Sequence, residues 1–114
     1  MDIKSIEDIK KVVGQMHDSE FEGIDLSFDS DNNIFHLKSY CPKDRNKTFN
    51  LEVYNVEKYD PINLDKINEG KALGGVFNDI LVGDNGLKLT LLSQDLKIVL
   101  NVNKLEGKFK VIEK

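Results

Sequence analysis

The first regular pattern of hydrophobic positions along the chain is helical. Four apolar residues recur at the spacing of one face of an amphipathic helix: Ile6, Ile9, Val13 and Met16. Ser5 precedes this stripe and Asp8 follows three positions later, which is close to the capping box that begins many helices. The pattern predicts a helix over about residues 4–15, with Gly14 weakening its last turn.

Beyond residue 20 the period changes from helical to alternating, as in half-buried strands. Seven segments show this alternation: residues 24–28, 34–40, 49–54, 76–82, 87–93, 96–102 and 108–113. Turn-forming residues separate many of them, as in the stretch DSDNN at 29–33 and GDNG at 83–86. A bend at Gly23 would bring Phe21 back to the core face of the first strand.

Residues 59–70 have a different pattern. Asp60 is a possible N-cap and Pro61 then occupies the first helical position, where proline is favoured. Ile62, Leu64 and Ile67 could form one short apolar face, so the segment is predicted to be a short helix or a structured loop. The glycine-rich residues 70–75 are expected to form a turn.

The order of these elements indicates the fold class. Strands do not alternate with helices in the βαβ manner, which argues against a parallel sheet. We expect an α+β fold in which the N-terminal helix packs on a curled, mostly antiparallel sheet of six or seven strands. With 114 residues and no linker, residues 1–114 are predicted to form a single domain.

The composition is that of a globular protein, with 39% hydrophobic and 32% charged residues. No apolar run approaches the roughly 18 residues of a membrane span. The N-terminal residues lack the basic start and apolar core of a secretory signal, and Cys41, the single cysteine, has no partner for an internal disulfide. A cytoplasmic protein without cofactors and without membrane association is therefore expected.

Charge is distributed unevenly along the chain, whose net charge is −4. Residues 1–35 carry nine acids and three bases, and one stretch of them holds six acids and no base: Asp18, Glu20, Glu22, Asp25, Asp29 and Asp31. Alternation in the first strand directs Asp25 and Asp29 away from the core. A short basic cluster comes next at Lys38, Lys43, Arg45 and Lys47, but an acidic chain is a poor candidate for binding nucleic acid. Each charged run is either a solvated face or a surface for a partner.

His17 and Asp18 form the only histidine–carboxylate pair that is adjacent in the sequence. Such a pair could act as a general base with its orienting group, or contribute to a metal site that would need further ligands. His36 is the only other histidine and could complete a pocket with the pair. The alternative is structural, because polar residues at a helix-to-strand joint bind exposed backbone groups.

Two further motifs fail as cofactor sites. Asp29, Asp31 and Asn33 begin like a calcium-binding loop, but Ile34 stands where that loop needs glycine and Tyr40 where it needs glutamate. The glycine-rich stretch GKALGG has its lysine in the wrong order for a phosphate loop. Neither a metal nor a nucleotide is expected.

The helix followed by His17, Asp18 and Ser19 and then by alternating strands carries a family resemblance. It resembles small uncharacterised bacterial domains with an HDS-type motif after the first helix, some of which are grouped with toxin-immunity proteins. The resemblance implies an antiparallel sheet with a helix packed on it and a function in binding. It implies no catalytic residue.

The sequence supports two functional hypotheses. The first is a non-enzymatic cytoplasmic protein-binding domain of the toxin-immunity kind, a monomer or homodimer, that attracts a basic protein to the acidic surface formed by the six acids of residues 18–31. The alternative is a small ligand-binding or hydrolytic domain with a pocket near His17, Asp18 and His36.

Overall fold

The computed structural model describes residues 1–22, 25–44, 46–63 and 75–113, except for the side chain of Asn63. These residues contain one α-helix, α1 (Ile6–Met16), and ten strands. The strands are β1 (Asp2–Ile3), β2 (Glu20–Phe21), β3 (Leu26–Asp29), β4 (Ile34–Tyr40), β5 (Lys47–Val53), β6 (Val56–Asn63), β7 (Gly75–Gly83), β8 (Lys88–Ser93), β9 (Leu96–Val102) and β10 (Gly107–Glu113). The α+β class is confirmed.

All described strand pairs are antiparallel, in the order β1-β10-β5-β4-β2-β7-β8-β9-β6. β3 lies off this path and pairs with the first half of β4. The sheet does not close on itself, and two-residue β2 is the only strand within the described ranges that pairs with both of its halves. Residues on β2 are therefore held between two larger groups of strands.

The helix begins with the capping box that the sequence predicts. Ser5 Oγ accepts a hydrogen bond from the Asp8 backbone N–H at 3.3 Å, and Asp8 Oδ2 accepts from the backbone N–H groups of Lys4 and Ser5. These backbone hydrogen bonds, above all the one from Lys4, lower the pKa of Asp8. The helix continues past Gly14 and ends at Met16.

The buried face of α1 is rotated slightly from the predicted stripe. Ile9 and Met16 are buried as expected, and Val12, which the stripe omits, is fully buried as well. Ile6, in contrast, remains 38% exposed. The rotation leaves part of the apolar surface of the helix facing a groove beside β7.

The core is formed mainly by the alternating strand positions. Phe35 and Leu37 of β4 are fully buried, while their strand neighbours are half-exposed. On β9 all four residues of the predicted inward face are buried: Leu96, Ile98, Leu100 and Val102. The period-two pattern therefore identified the core face of these strands correctly.

The expected six or seven strands is an undercount, because three strands were missed. β1 and β2 have two residues each, too few to show an alternating pattern. β6 replaces the predicted short helix or loop over residues 59–63, so that part of the prediction was wrong. Pro61 lies in β6, which among the described residues is an edge strand paired only with β9, and an edge tolerates a residue without a backbone N–H. The rest of that segment, the glycine-rich residues 70–74 and the proposed bend at Gly23 lie outside the described residues.

Candidate functional site

A cleft with a volume of about 510 Å³ opens where the two halves of the sheet meet. Its lining comes from β2, the turn that precedes β3, the end of β4, the start of β7 and the turn between β8 and β9. Four carboxylate residues line it: Glu20, Glu22, Asp25 and Asp95. Phe21, Tyr40 and Pro42 contribute apolar surface. We call this opening the acidic cleft.

The position of the cleft is set by the pairing of β2. Glu20 lies opposite Tyr40 on one side and opposite Val76 on the other. Directly before these residues, Ser19 Oγ donates a hydrogen bond to Ser39 Oγ at 2.9 Å, and both side chains are buried. This buried contact fixes β2 against β4 beneath the cleft.

The carboxylate of Asp25 is held within the wall of the cleft. Its Oδ2 accepts a hydrogen bond from the backbone N–H of Glu22 at 2.9 Å, and its Oδ1 lies 3.4 Å from the Tyr40 hydroxyl. The ammonium group of Lys38 lies 5.4 Å from the centre of the Tyr40 ring, within the range of a cation–π interaction. One aromatic residue of the cleft thus already contacts a cation.

Sequence reasoning missed Asp95, which reaches the cleft from the turn between β8 and β9. The turn itself was predicted, but no local pattern shows that it lies beside β2. Gly75 allows the approach, because a Cβ at this position would lie 2.9 Å from Gln94 Oε1 and 3.4 Å from Asp95 Oδ2. Gly75 also has a φ of +80°, a conformation that favours glycine.

Asp29 and Asp31 do not belong to the cleft. Asp29 pairs with Ile34 at the start of β4, whereas Glu20 pairs with Tyr40 at its end. Ile34 and Tyr40 are six residue steps apart along β4, which corresponds to about 20 Å. The acids of residues 18–31 therefore do not form one continuous surface.

The carboxylate of Asp29 is engaged in its own turn. It accepts hydrogen bonds from the backbone N–H groups of Asp31 at 3.0 Å and Asn32 at 3.2 Å, and from the Asn32 side chain at 2.7 Å. These contacts, above all that with the Asn32 side chain, lower the pKa of Asp29. Its charge stabilises the turn between β3 and β4, so it is a poor position for testing a binding surface by charge reversal.

His17 and Asp18 do contact each other at the joint. His17 Nδ1 lies 3.2 Å from Asp18 Oδ2, and the backbone of Asp18 is in the left-handed region, with a φ of +69°. Both side chains are more than half exposed. His36 projects from the face of β4 opposite Phe35 and Leu37, with Ser27 and Glu52 beside it in the sheet. Within the described ranges no contact joins His36 to the pair, and a three-residue pocket stays a prediction.

The described residues contain no group of three or more histidine, cysteine, aspartate or glutamate side chains placed to hold a metal ion. Over the same residues, no helix has the length and apolar character needed to cross a membrane.

Taken together, the fold and the cleft define the class: an α+β protein with an open antiparallel sheet and an acidic cleft at the junction of its halves. The chain matches none of the protein-family models, curated proteins or solved structures with which it was compared.

Proposed function

We propose that the protein is a non-enzymatic cytoplasmic binding protein that holds a basic segment of a partner protein in the acidic cleft, in the manner of a toxin-immunity protein. The observation that carries the proposal is the convergence of four carboxylates on one opening of about 510 Å³. Three of them come from residues 20–25 and the fourth from Asp95, more than sixty positions later in the chain.

The carboxylates of the cleft differ in whether they accept hydrogen bonds from other groups of the protein. Asp25 is hydrogen-bonded to its own turn. Within the described part of the chain, the carboxylates of Glu20, Glu22 and Asp95 have no hydrogen-bond or ion-pair partner. No described side chain neutralises these three charges, which supports a role in binding lysine or arginine side chains of a partner.

The walls of the cleft suit the long side chains of basic residues. Phe21, Tyr40 and Pro42 offer apolar and aromatic surface that can pack against an aliphatic stem or a guanidinium plane. The four carboxylates of the cleft would also steer a basic partner towards this opening. Because these charges are exposed, the affinity should fall as salt is added.

The test uses a ten-residue polyarginine peptide as the basic probe, with binding measured by calorimetry at low and high salt. The cleft variant combines Glu20→Gln, Glu22→Gln and Asp95→Asn. A control removes the same number of charges at exposed acids outside the cleft, with Asp31→Asn, Glu57→Gln and Asp84→Asn.

We expect the cleft variant to bind the peptide at least tenfold more weakly than the wild type, and the control less than twofold more weakly. Circular dichroism would verify that both variants fold. Equal losses in the two variants would show that the peptide senses only the overall charge, and the cleft would lose its proposed role.

The ligand-binding or hydrolytic alternative has one supporting observation, the 3.2 Å contact between His17 and Asp18. It requires His36 to share a ligand with that pair. Zinc or small-ligand titration monitored by the NMR signals of both imidazoles would test it, because only a shared site moves the two sets of signals together.

A further inference from the structure

A second opening, of about 390 Å³, runs between α1 and β7. The helix contributes Ile6, Ile9, Lys10 and Val13, and the strand contributes residues 79–82. Most of these side chains are apolar. We call this opening the α1–β7 groove. It shares no lining residue with the acidic cleft, so binding in the groove is independent of the proposed function.

One edge of β7 borders this groove, and over most of its length no described strand lies beside it. β2 pairs with β7 only at Gly75 and Val76. From residue 78 to residue 83, β8 is the only strand that pairs with β7 among the described residues. Within the described ranges, the backbone groups of the other edge therefore have no ladder partner such as they would have inside a sheet.

The hydrogen bond of Ile80 shows where these groups point. The Ile80 backbone N–H donates to Asp79 Oδ1 at 2.7 Å rather than to β8. Since successive residues of an antiparallel strand direct their backbone groups to opposite edges, those of Val82 also face away from β8. Asp79 thus occupies the position that a carbonyl oxygen of an added strand would take.

Exposed apolar side chains flank the same edge. Leu81 of β7 is 51% exposed and Ile6 of α1 is 38% exposed. An added helix could cover these side chains but could not pair with the edge of β7. An extended segment could do both, because it supplies a hydrogen-bonding edge and alternate side chains.

Charge in the groove indicates what such a segment should carry. Lys10 is the one cation among the groove-lining residues that the structure describes, and its side chain is 69% exposed. Its 3.2 Å contact with Glu7 is a surface ion pair, which holds the ammonium group only weakly. A carboxylate on the incoming segment would complement this charge.

We propose that the α1–β7 groove binds an extended segment of a partner protein, which adds as a strand to the edge of β7 that faces away from β8. An apolar side chain of the segment fills the space between Ile6, Val13 and Val82, and an acidic side chain pairs with Lys10. Without the segment, the carboxylate of Asp79 accepts the hydrogen bond of the Ile80 backbone N–H. When the segment binds, one of the segment's backbone carbonyl groups replaces this carboxylate as the acceptor.

The test starts from a displayed library of random nine-residue peptides, selected for binding to the folded protein. The selected peptides should alternate apolar with polar positions and contain an acidic residue. Selection on the Lys10→Glu variant should replace that acid with lysine or arginine. If the charged residue of the selected peptides changes from acidic with the wild type to basic with Lys10→Glu, the peptide binds beside residue 10.

Hydrogen exchange then tests strand addition itself. Saturation with the strongest selected peptide should slow exchange of the Ile80 and Val82 amides by at least tenfold. Ile6→Glu should weaken binding of the same peptide by at least tenfold. Leu87→Glu, a matched change at a residue that is 43% exposed and does not line the groove, should leave it unchanged.

Three outcomes would overturn the proposal. The selection could yield no peptide, or peptides that bind the Ile6→Glu variant as well as the wild type. The selected peptide could bind without protecting the Ile80 and Val82 amides. These amides could also become protected with rising protein concentration alone, which would assign the groove to a second copy of the chain.

Discussion

Two acidic regions lie close together in the sequence but differ in what their charges do. In the turn between β3 and β4, the carboxylate of Asp29 accepts three hydrogen bonds from neighbouring residues. In the acidic cleft, Glu20, Glu22 and Asp95 face an opening and have no polar partner among the described residues. A run of acidic residues is therefore a candidate binding surface only where its carboxylates are not already hydrogen-bonded to neighbouring residues.

The largest expected effect concerns the buried support of the cleft. Ser19→Ala removes the hydroxyl group that donates to Ser39 Oγ and leaves a buried hydroxyl without its partner. The free energy of unfolding should fall by about 1–3 kcal/mol, measured by urea denaturation. The double variant with Ser39→Ala should cost less than the sum of the two single variants, since no orphaned hydroxyl remains. Strict additivity would show that the contact does not hold β2 against β4.

Gly75 offers the next contrast between the cleft and the turn. Gly75→Ala places a Cβ on a backbone with a φ of +80° and within 2.9 Å of Gln94 Oε1. The positive φ alone should cost about 1–2 kcal/mol of unfolding free energy. In the turn, Asn33 has a φ of +58°, and Asn33→Gly should change stability by less than about 0.5 kcal/mol.

A second variant separates the two causes at Gly75. Adding Gln94→Ala to Gly75→Ala removes the nearest atom, Gln94 Oε1, while the Cβ of residue 94 stays at 3.1 Å, so most of the steric contact is relieved and the backbone cost remains. Full recovery of stability in this double variant would assign the effect to steric contact and contradict the role given to the backbone.

Much of the fold was predictable because its longer strands have one buried face. β4 and β9 show clean alternation, and their predicted inward residues are buried. The strands that escaped prediction either have two residues, as in β2, or contain a residue untypical of strands, as Pro61 in β6. Short pairings and edge positions are set by tertiary contacts, which leave little local pattern.

The cleft was predictable only in part. Glu20, Glu22 and Asp25 belong to the acidic run, but Asp29 is separated from them by the length of β4. Asp95 joins them through the pairing of β7 with both β2 and β8. The sequence contains the charges, whereas their grouping depends on the strand order.

The pKa of Asp29 leads to a smaller, pH-dependent effect. Because its folded pKa is lowered, the ionised carboxylate stabilises the fold above the unfolded pKa of about 3.9, and this contribution is lost as the pH falls through the folded value. The difference in melting temperature between the wild type and Asp29→Asn should therefore shrink below about pH 4. Asn32→Ala removes the 2.7 Å hydrogen bond that contributes most to the lowered pKa of Asp29, so the same comparison made in the Asn32→Ala background should show a weaker pH dependence. An unchanged pH dependence in that background would contradict the role of the Asp29 hydrogen bonds.

The smallest expected change in stability comes from removing the charge of Asp18, at the joint before the cleft. Asp18→Asn removes the charge that faces His17, but both side chains are more than half exposed, so the pair should contribute less than about 0.5 kcal/mol. Asparagine also tolerates the left-handed backbone at this position. Valine does not tolerate this backbone conformation, so Asp18→Val should lower the free energy of unfolding by about 1–2 kcal/mol. Urea denaturation of both variants decides between the two roles: because each variant removes the charge, an equal loss in Asp18→Asn and Asp18→Val would mean that the ion pair, and not the backbone, makes the joint.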